Sequence, residues 1–243
     1  MLAAVRPDHV VPSPNIWQWP DLYEVENNAQ DVDGQIWRVL AERCDWTGLD
    51  VLDLGCGDGF HLPRFAGAAR GVVGVEPHQP LVARARQRVA DLTSVDVMAG
   101  AAQRLPLPDA SVDLVHARTA YFFGPGCEPG LAEVDRVLRP GGVLVIVDLD
   151  GRSTPYGDWL RADLPQYDPG KIERFFTDAG FDSVDVRTTW RFQDRQSLEA
   201  VLRIEFSAAV ARRAIAGVSG LSFPVGYRVR TRRKPTGLVV HDR

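Results

Sequence analysis

Residues 51–66 read VLDLGCGDGFHLPRFA and combine an apolar run, a glycine-rich turn and the start of a helix. Asp53 lies near the end of the apolar run, and Gly55, Gly57 and Gly59 follow at every second position. Glycine adopts backbone angles that other residues avoid and leaves no Cβ between the backbone and a ligand. Open α/β sheets bind ligands where a strand ends in such a turn. The stretch therefore predicts an α/β fold with a nucleotide site.

Further apolar runs alternate with helix-like stretches and predict a parallel sheet. The expected strands are Val51–Leu54, Gly71–Val75, Ser94–Met98, Val112–Val115 and Val143–Val147. Three helices are expected: one from the glycine turn to about Ala66, one at Leu81–Ala90 and one at Pro129–Leu138. A turn is expected at Arg139–Gly142. Strands that are apolar throughout are typical of a parallel sheet covered on both faces. Their alternation with helices favours a doubly wound architecture.

The two ends of the chain have other patterns. Residues 1–30 contain four prolines and little periodicity, which predicts an irregular arm that is a candidate lid. Residues 31–243 are expected to form a single domain, with a nucleotide-binding core at about 49–150 and an additional part at about 151–243. The additional part predicts helices and strands at Asp168–Ala179, Phe181–Arg187, Ser197–Ala216 and Tyr227–Arg233.

Glu76 ends the second expected strand, about 20 residues after the glycine turn. In nucleotide-binding sheets an acidic residue at this place accepts hydrogen bonds from the ribose hydroxyls. Glu76 also precedes Pro77 and could instead cap the following helix. We favour ribose binding because the turn and the acid occur together.

The identity of the nucleotide follows from neighbouring residues. Phe60 stands where the dinucleotide fingerprint needs a small residue, and no Gly-Lys-Ser/Thr follows as a P-loop requires. The carboxylate of Asp53 would repel a pyrophosphate but attract an amine. These features point to a nucleoside that carries an amino acid, which is S-adenosylmethionine.

Four stretches resemble the class I S-adenosylmethionine-dependent methyltransferases, in their type 11 small-molecule group. They are DLGCGDG at 53–59, VGVEPH at 73–78, and the segments at 101–118 and 133–148. The resemblance covers about residues 49–150. It implies a Rossmann-like, mostly parallel seven-stranded sheet whose last strand is antiparallel.

The resemblance also assigns roles to individual positions. Asp53, Gly55, Cys56 and Gly57 would lie against the methionine part of the cofactor, and Glu76 would hold the ribose. The other implied cofactor contacts are Tyr23 from the arm, Pro77, Ala102 and Gln103 beside the adenine, and Ala117 just past the fourth strand near the sulfonium. Many relatives carry an acid where this chain has Ala101, so Gln103, a backbone carbonyl or packing would replace it.

The implied reaction moves a methyl group to an oxygen, nitrogen or carbon atom of a small molecule and leaves S-adenosylhomocysteine. A hydroxyl or protonated amine acceptor benefits from a general base, whereas a neutral amine, thiolate or activated carbon needs none. His116, Tyr121 and Asp148 are the candidate bases. Each could instead belong to the core or to a strand end.

Two other functions remain open on the sequence. One is methylation of RNA or protein, and the other is binding of the cofactor without catalysis. A net charge of −4 argues against a nucleic-acid binder, and the basic stretch at 228–234 is interpreted as the protection of an edge strand.

Three cysteines without a CxxC pair favour a reducing, cytoplasmic location. No apolar run is long enough to span a membrane, and no cluster has the spacing of metal ligands. We therefore expect no bound metal and no membrane partner, with either a monomer or a homodimer.

Overall fold

The computed structural model describes residues 10–120 and 124–237, and a seven-stranded sheet forms its centre. The strands are β1 Asp50–Leu54, β2 Gly71–Glu76, β3 Val95–Ala99, β4 Val112–Arg118, β5 Leu138–Leu149, β6 Asp182–Arg191 and β7 Ser222–Arg233. Their order across the sheet is β3-β2-β1-β4-β5-β7-β6. The pairs from β3 to β5 are parallel, whereas β7 runs antiparallel to β5 and to β6. The predicted doubly wound fold with an antiparallel last strand is confirmed.

Helices cover both faces of this sheet. Those of the described residues are α1 Pro14–Gln18, α2 Pro20–Ala29, α3 Gln35–Arg43, α4 Leu62–Ala66, α5 Gln79–Arg88, α6 Glu128–Val137, α7 Tyr156–Asp163, α8 Pro169–Asp178, α9 Arg195–Glu205 and α10 Ala208–Gly217. One face, here called the aromatic face, packs against α3, α4, α9 and α10. The opposite face packs against α6 and α8 and is called the α6–α8 face. No helix in these described ranges is long and apolar enough to cross a membrane.

The N-terminal arm is helical from Pro14 onward, so the expectation of an irregular arm is wrong for its described part. Pro14 and Pro20 are the first residues of α1 and α2. Proline is well suited to this position, because the first turn of a helix does not need its N–H group and the ring fixes a helical φ angle. The prolines that suggested irregular chain therefore start helices.

Other boundaries also differ from the expected ones. The helix expected at Ser197–Ala216 is two helices, because the buried Phe206 takes an extended backbone between α9 and α10. The helix after the glycine turn is only the five residues of α4. The turn expected at Arg139–Gly142 lies within β5, where Gly141 and Gly142 exchange backbone hydrogen bonds with Lys234.

The basic strand β7 lies inside the sheet, so its interpretation as an edge strand is wrong. Arg228 pairs with Glu173 and Asp185, and Arg230 pairs with Asp148 at 3.0 Å. Side chains from helix α8 and the neighbouring strands thus neutralise charges that look exposed in the sequence. The edge position belongs to β6.

Candidate active site

The glycine turn leaves β1 at the carboxyl edge of the sheet and is fixed to the neighbouring strand. The backbone N–H groups of Gly55 and Cys56 both donate to the Val75 carbonyl oxygen, at 2.8 and 3.1 Å. Gly55 and Gly57 have φ angles of 73° and 57°, in the region that favours glycine. The backbone surface of the turn is therefore held in one conformation by β2.

Glu76 connects this turn to the end of β2. One carboxylate oxygen accepts from the Gly57 N–H at 3.2 Å, and the other accepts from the His78 N–H at 2.9 Å. Burial raises the pKa of Glu76, and hydrogen bonds from His78, Gly57 and Trp17 oppose that rise. Both sequence interpretations describe part of this geometry, since Glu76 lies beside the turn and also binds the N-terminal end of α5.

Asp53 and His116 meet on the aromatic face. They are register partners on β1 and β4, and the distance from His116 Nδ1 to Asp53 Oδ1 is 2.7 Å. Both side chains are buried, and Asp53 Oδ2 and His116 Nε2 have no hydrogen-bond partner among the described residues. The sequence indicated both residues but not their contact.

Asp148 lies on the α6–α8 face, so the structure does not bring it together with His116. It pairs with Arg230, whose guanidinium packs over the Phe176 ring at 4.6 Å from the centroid. Burial raises the pKa of Asp148 to about 6, against the lowering effect of Arg230. Tyr121, the third candidate base, lies outside the described residues.

The predicted place of Ala117 past the fourth strand is wrong, because β4 continues to Arg118. The side chain of Ala117 is fully buried in the core of the α6–α8 face. Thr119 and Ala120 follow the strand end instead, and a Cβ on Gly55 would lie 3.4 Å from that of Ala120.

Cys56 contributes its backbone to the turn while its side chain points inward. A Cβ on Gly74 would lie 2.8 Å from Cys56 Sγ, so the sulfur packs tightly against β2. Burial raises the pKa of the Cys56 thiol. The thiol is therefore neutral and packed in the core.

Two predicted adenine contacts, Ala102 and Gln103, lie beyond the end of β3, next to Glu76, and the third, Pro77, follows β2. Ala101 and Arg104 form an isolated bridge, with the Arg104 N–H donating to the Ala101 carbonyl at 3.0 Å. Ala102 and Gln103 form the tip of this turn, and all three of Pro77, Ala102 and Gln103 are half-buried. The Ala101 carbonyl oxygen is thus already hydrogen-bonded within the turn.

Helix α1 of the arm lies on the glycine turn. The tip of Ile16, Cδ1, lies 2.7 Å from the point that a Cβ on Gly57 would occupy. Trp17 hydrogen-bonds Glu76 through its side chain and stacks on the ring of His78. Ile16 and Trp17 were apolar residues of unassigned role in the sequence, and the structure places them at the predicted cofactor site.

Tyr23 lies in a second contact of the arm, at the end of β4. It hydrogen-bonds Thr119, and burial raises its pKa well above the ordinary value. Nearby, the carboxyls of Glu26 of α2 and Glu205 of α9 lie close together, and burial raises the pKa of both. Sequence patterns could not show this proximity, because the partners are far apart in the chain.

Known proteins of similar sequence identify the family to which this chain belongs. The model of a family described as a methyltransferase domain matches residues 52–146. A probable S-adenosylmethionine-dependent methyltransferase of Mycolicibacterium smegmatis is 31% identical over 187 residues, which cover 74% of this chain and 70% of the relative. The chain belongs to the S-adenosylmethionine-dependent methyltransferase family.

Two further proteins resemble this methyltransferase, one in part of its sequence and one in its fold. The malonyl-[acyl-carrier protein] O-methyltransferase of Pectobacterium atrosepticum is 33% identical over 132 residues, covering 53% of this chain and 51% of the relative. The chain thus spans only about half of that relative. The solved structure of the [4+2]-cyclase SpnF superposes with a TM-score of 0.60 at 23% identity, covering 86% of this chain and 84% of SpnF. This last likeness concerns the fold alone.

The residues of this methyltransferase fit the family's cofactor. Gly57 has no side chain on the turn, so the space beside it is open to a ligand once Ile16 leaves it. Asp53 Oδ2 is a buried acceptor without a described donor, and Glu76 ends the adjacent strand. An ammonium and two ribose hydroxyls supply donors of the kind these carboxylates need. Within the described ranges, no group of His, Cys, Asp or Glu side chains has the arrangement of a metal site.

Proposed function

We propose that this methyltransferase binds S-adenosylmethionine across Gly55–Gly57 and Glu76 and methylates a small molecule at oxygen, nitrogen or carbon. The observation that carries the proposal is the hydrogen bond from Gly57 N–H to the buried Glu76, which joins the turn and the ribose-binding acid in one rigid unit. The bound cofactor supplies an electrophilic methyl group. Holding two reactants in line can supply about 7–11 kcal/mol of a reaction barrier.

Each side chain of the unit has a proposed task. Glu76 accepts from the ribose hydroxyls, Asp53 accepts from the ammonium of the amino acid part, and the turn at 101–104 lies against the adenine. Thr119 and Ala120 take the place beside the sulfonium that was expected for Ala117. The support is their common position at the carboxyl ends of β1, β2, β3 and β4.

We assign the arm the role of a lid that must open before the cofactor enters. Ile16 and Trp17 contact Gly57 and Glu76, the two groups to which the cofactor is proposed to bind. The lid is fastened by ion pairs, since Arg88 of α5 pairs with Glu24 of α2 and with the buried Asp58, both at 2.9 Å. Closure over bound ligands would also exclude water from the reaction.

A small-molecule acceptor is favoured over RNA or protein for two reasons. Arg228, Arg230 and Arg232 of β7 have carboxylate partners within the fold and so leave little free positive charge to attract a phosphate backbone. The malonyl-[acyl-carrier protein] relative is named for an acyl substrate. Binding without methyl transfer is the second candidate, since the turn and Glu76 would hold the cofactor in either case.

The remaining expectations stay proposals. Tyr121 is retained as a candidate base, whereas His116 and Asp148 are each paired within the fold. The described cysteines are free thiols, which supports a reducing, cytoplasmic location. We keep both a monomer and a homodimer as expected states.

Transfer of a labelled methyl group tests the proposal. The protein is incubated with methyl-labelled S-adenosylmethionine in three separate reactions. One contains a low-molecular-weight cell extract, one an RNA fraction and one a protein fraction. Label is expected in the small-molecule fraction, and Glu76→Ala serves as the matched control. Label in RNA or protein would overturn the substrate class, and binding without transfer to any fraction would favour the non-catalytic alternative.

A further inference from the structure

The contact between His116 and Asp53 has the form of a support for a cofactor-binding group. A carboxylate only accepts hydrogen bonds, so His116 Nδ1 carries the proton in the 2.7 Å contact to Asp53 Oδ1. The residues face each other in the register of β1 and β4, which prevents the pair from sliding apart. The bond occupies one oxygen of Asp53 and leaves Oδ2 for another donor.

The surroundings of His116 hold the ring still and keep it away from a reacting group. Its side chain is fully buried. The Trp37 ring stacks at 6.3 Å between centroids, Phe65 lies at 5.0 Å and His61 meets the ring edge at 6.1 Å. A ring enclosed in this way cannot reach an acceptor molecule, but it can hold a neighbour in a fixed orientation.

The free oxygen of Asp53 needs a donor of positive charge. A buried carboxylate is costly unless it is paired and hydrogen-bonded. The ion pairs of the described residues give Asp53 no lysine or arginine partner, only His116. Asp53 is also one residue before the end of β1 and two before Gly55, so its position lies at the start of the cofactor turn.

We propose that His116 is a positioning residue that holds Asp53 so that Oδ2 accepts from the ammonium of the cofactor's amino acid part. This proposal rests on the proposed function, because it needs the cofactor to bind at the turn. It replaces the expectation that His116 is a general base. His116 then affects recognition of the amino acid part and leaves recognition of the nucleoside part unchanged.

Two ligands that differ in the amino acid part provide the test. S-adenosylhomocysteine carries the ammonium, whereas 5′-methylthioadenosine has the same nucleoside and sulfur without it. In His116→Leu, calorimetry is expected to show a loss of about 10- to 100-fold for S-adenosylhomocysteine, the range of a hydrogen bond to a charged group. Binding of 5′-methylthioadenosine is expected to stay within about two-fold of wild type, which also reports that the variant is folded.

Two further variants complete the design. His116→Asn places an amide N–H near the position of Nδ1 and is expected to recover most of the lost affinity. Asp53→Asn is expected to show the same selective loss of affinity for S-adenosylhomocysteine. The double variant Asp53→Asn with His116→Leu is expected to lose no more affinity than Asp53→Asn alone, because the residues act as a unit.

The outcomes separate this proposal from the proposed function. Equal losses for both ligands, or losses of the two single variants that add in the double variant, would overturn the positioning role while leaving cofactor binding intact. A wild-type protein that binds neither ligand would overturn the proposed function, and the positioning role with it.

Discussion

The indole of Trp17 stacks on the imidazole of His78, with ring centroids 4.4 Å apart and planes inclined by 14°. His78 follows Glu76 and Pro77 at the end of β2, so the stack brings the arm onto the predicted ribose and adenine positions. Together with Ile16 on Gly57, it makes the closed arm a competitor of the cofactor.

We predict that Ile16→Ala and Trp17→Ala each tighten binding of S-adenosylhomocysteine by about 3- to 10-fold, because less apolar contact must be given up on opening. Calorimetry measures the affinity, and stopped-flow tryptophan fluorescence measures the association rate, which is expected to rise. Trp19→Ala is the control, since Trp19 is 54% exposed. Weaker binding in both variants would mean that these side chains hold the bound cofactor instead.

Arg88 fastens the arm to α5, and we expect Arg88→Met to release it. The substitution removes the pairs with Glu24 and Asp58 and leaves Asp58 buried without a cation. We expect a loss of about 1–3 kcal/mol in the free energy of unfolding and faster hydrogen exchange across 10–29.

Arg84→Gln is the matched control for the release of the arm. Arg84 pairs with Asp21, whose side chain is 88% exposed, and such surface pairs contribute little. Unchanged exchange of the arm in Arg88→Met, or equal effects of the two variants, would contradict the fastening role.

For Glu76→Ala we predict a loss of at least about 30-fold in cofactor affinity, because the ribose and the Gly57 N–H both lose an acceptor. Glu76→Gln is expected to lose less, since the amide oxygen still accepts. Asp96→Asn, a change at an exposed position on β3, is the control. Affinity of Glu76→Ala within two-fold of wild type would refute the ribose role.

The burial of Asp148 leads us to predict that the free energy of unfolding depends on pH. Its folded-state pKa is raised by burial to about 6, so the proton it keeps in the folded state stabilises the fold at low pH. That contribution is complete below the unfolded pKa of about 4 and is lost as the pH rises to about 6. Arg230 and Glu173 face the group, and the pKa of Glu173 is lowered by Arg228 and Arg230 against the raising effect of burial, so Glu173 contributes in the opposite sense.

Comparison with Asp148→Asn isolates this effect, because all other carboxyls are common to both proteins. The unfolding free energy of wild type relative to Asp148→Asn is expected to fall by at most about 3 kcal/mol between pH 4 and pH 6. Chemical unfolding at several pH values measures it. A difference that is constant across this interval would show that Asp148 is not protonated in the folded protein.

Local features made much of the fold predictable. Four of the five expected core strands start within one residue of an observed strand start, because a continuous apolar run bounded by turn residues has few other structures. The glycine turn was also identified by its own residues. The exceptions were the arm, where prolines begin helices, and β5, whose first residues gain their partners from Lys234.

The candidate site was predictable to the same extent. Asp53, Gly57 and Glu76 belong to short motifs, and the contact between Gly57 and Glu76 follows from the motifs' order along parallel strands. The role of β7 was not predictable, because three of its arginines are neutralised by Glu173, Asp148 and Asp135, which are distant in sequence. Charge that looks available in a sequence was paired within the fold.

The sequence by itself determined the turn and its acid, since both depend on backbone angles and spacing within one β-α-β unit. Only the tertiary structure decided that His116 supports Asp53 and that Asp148 faces the opposite side of the sheet. The physical reason is that the side chains of a strand alternate between faces, and a sequence does not show which face meets which helix. The same packing brought Ile16 and Trp17 of the arm onto the cofactor turn.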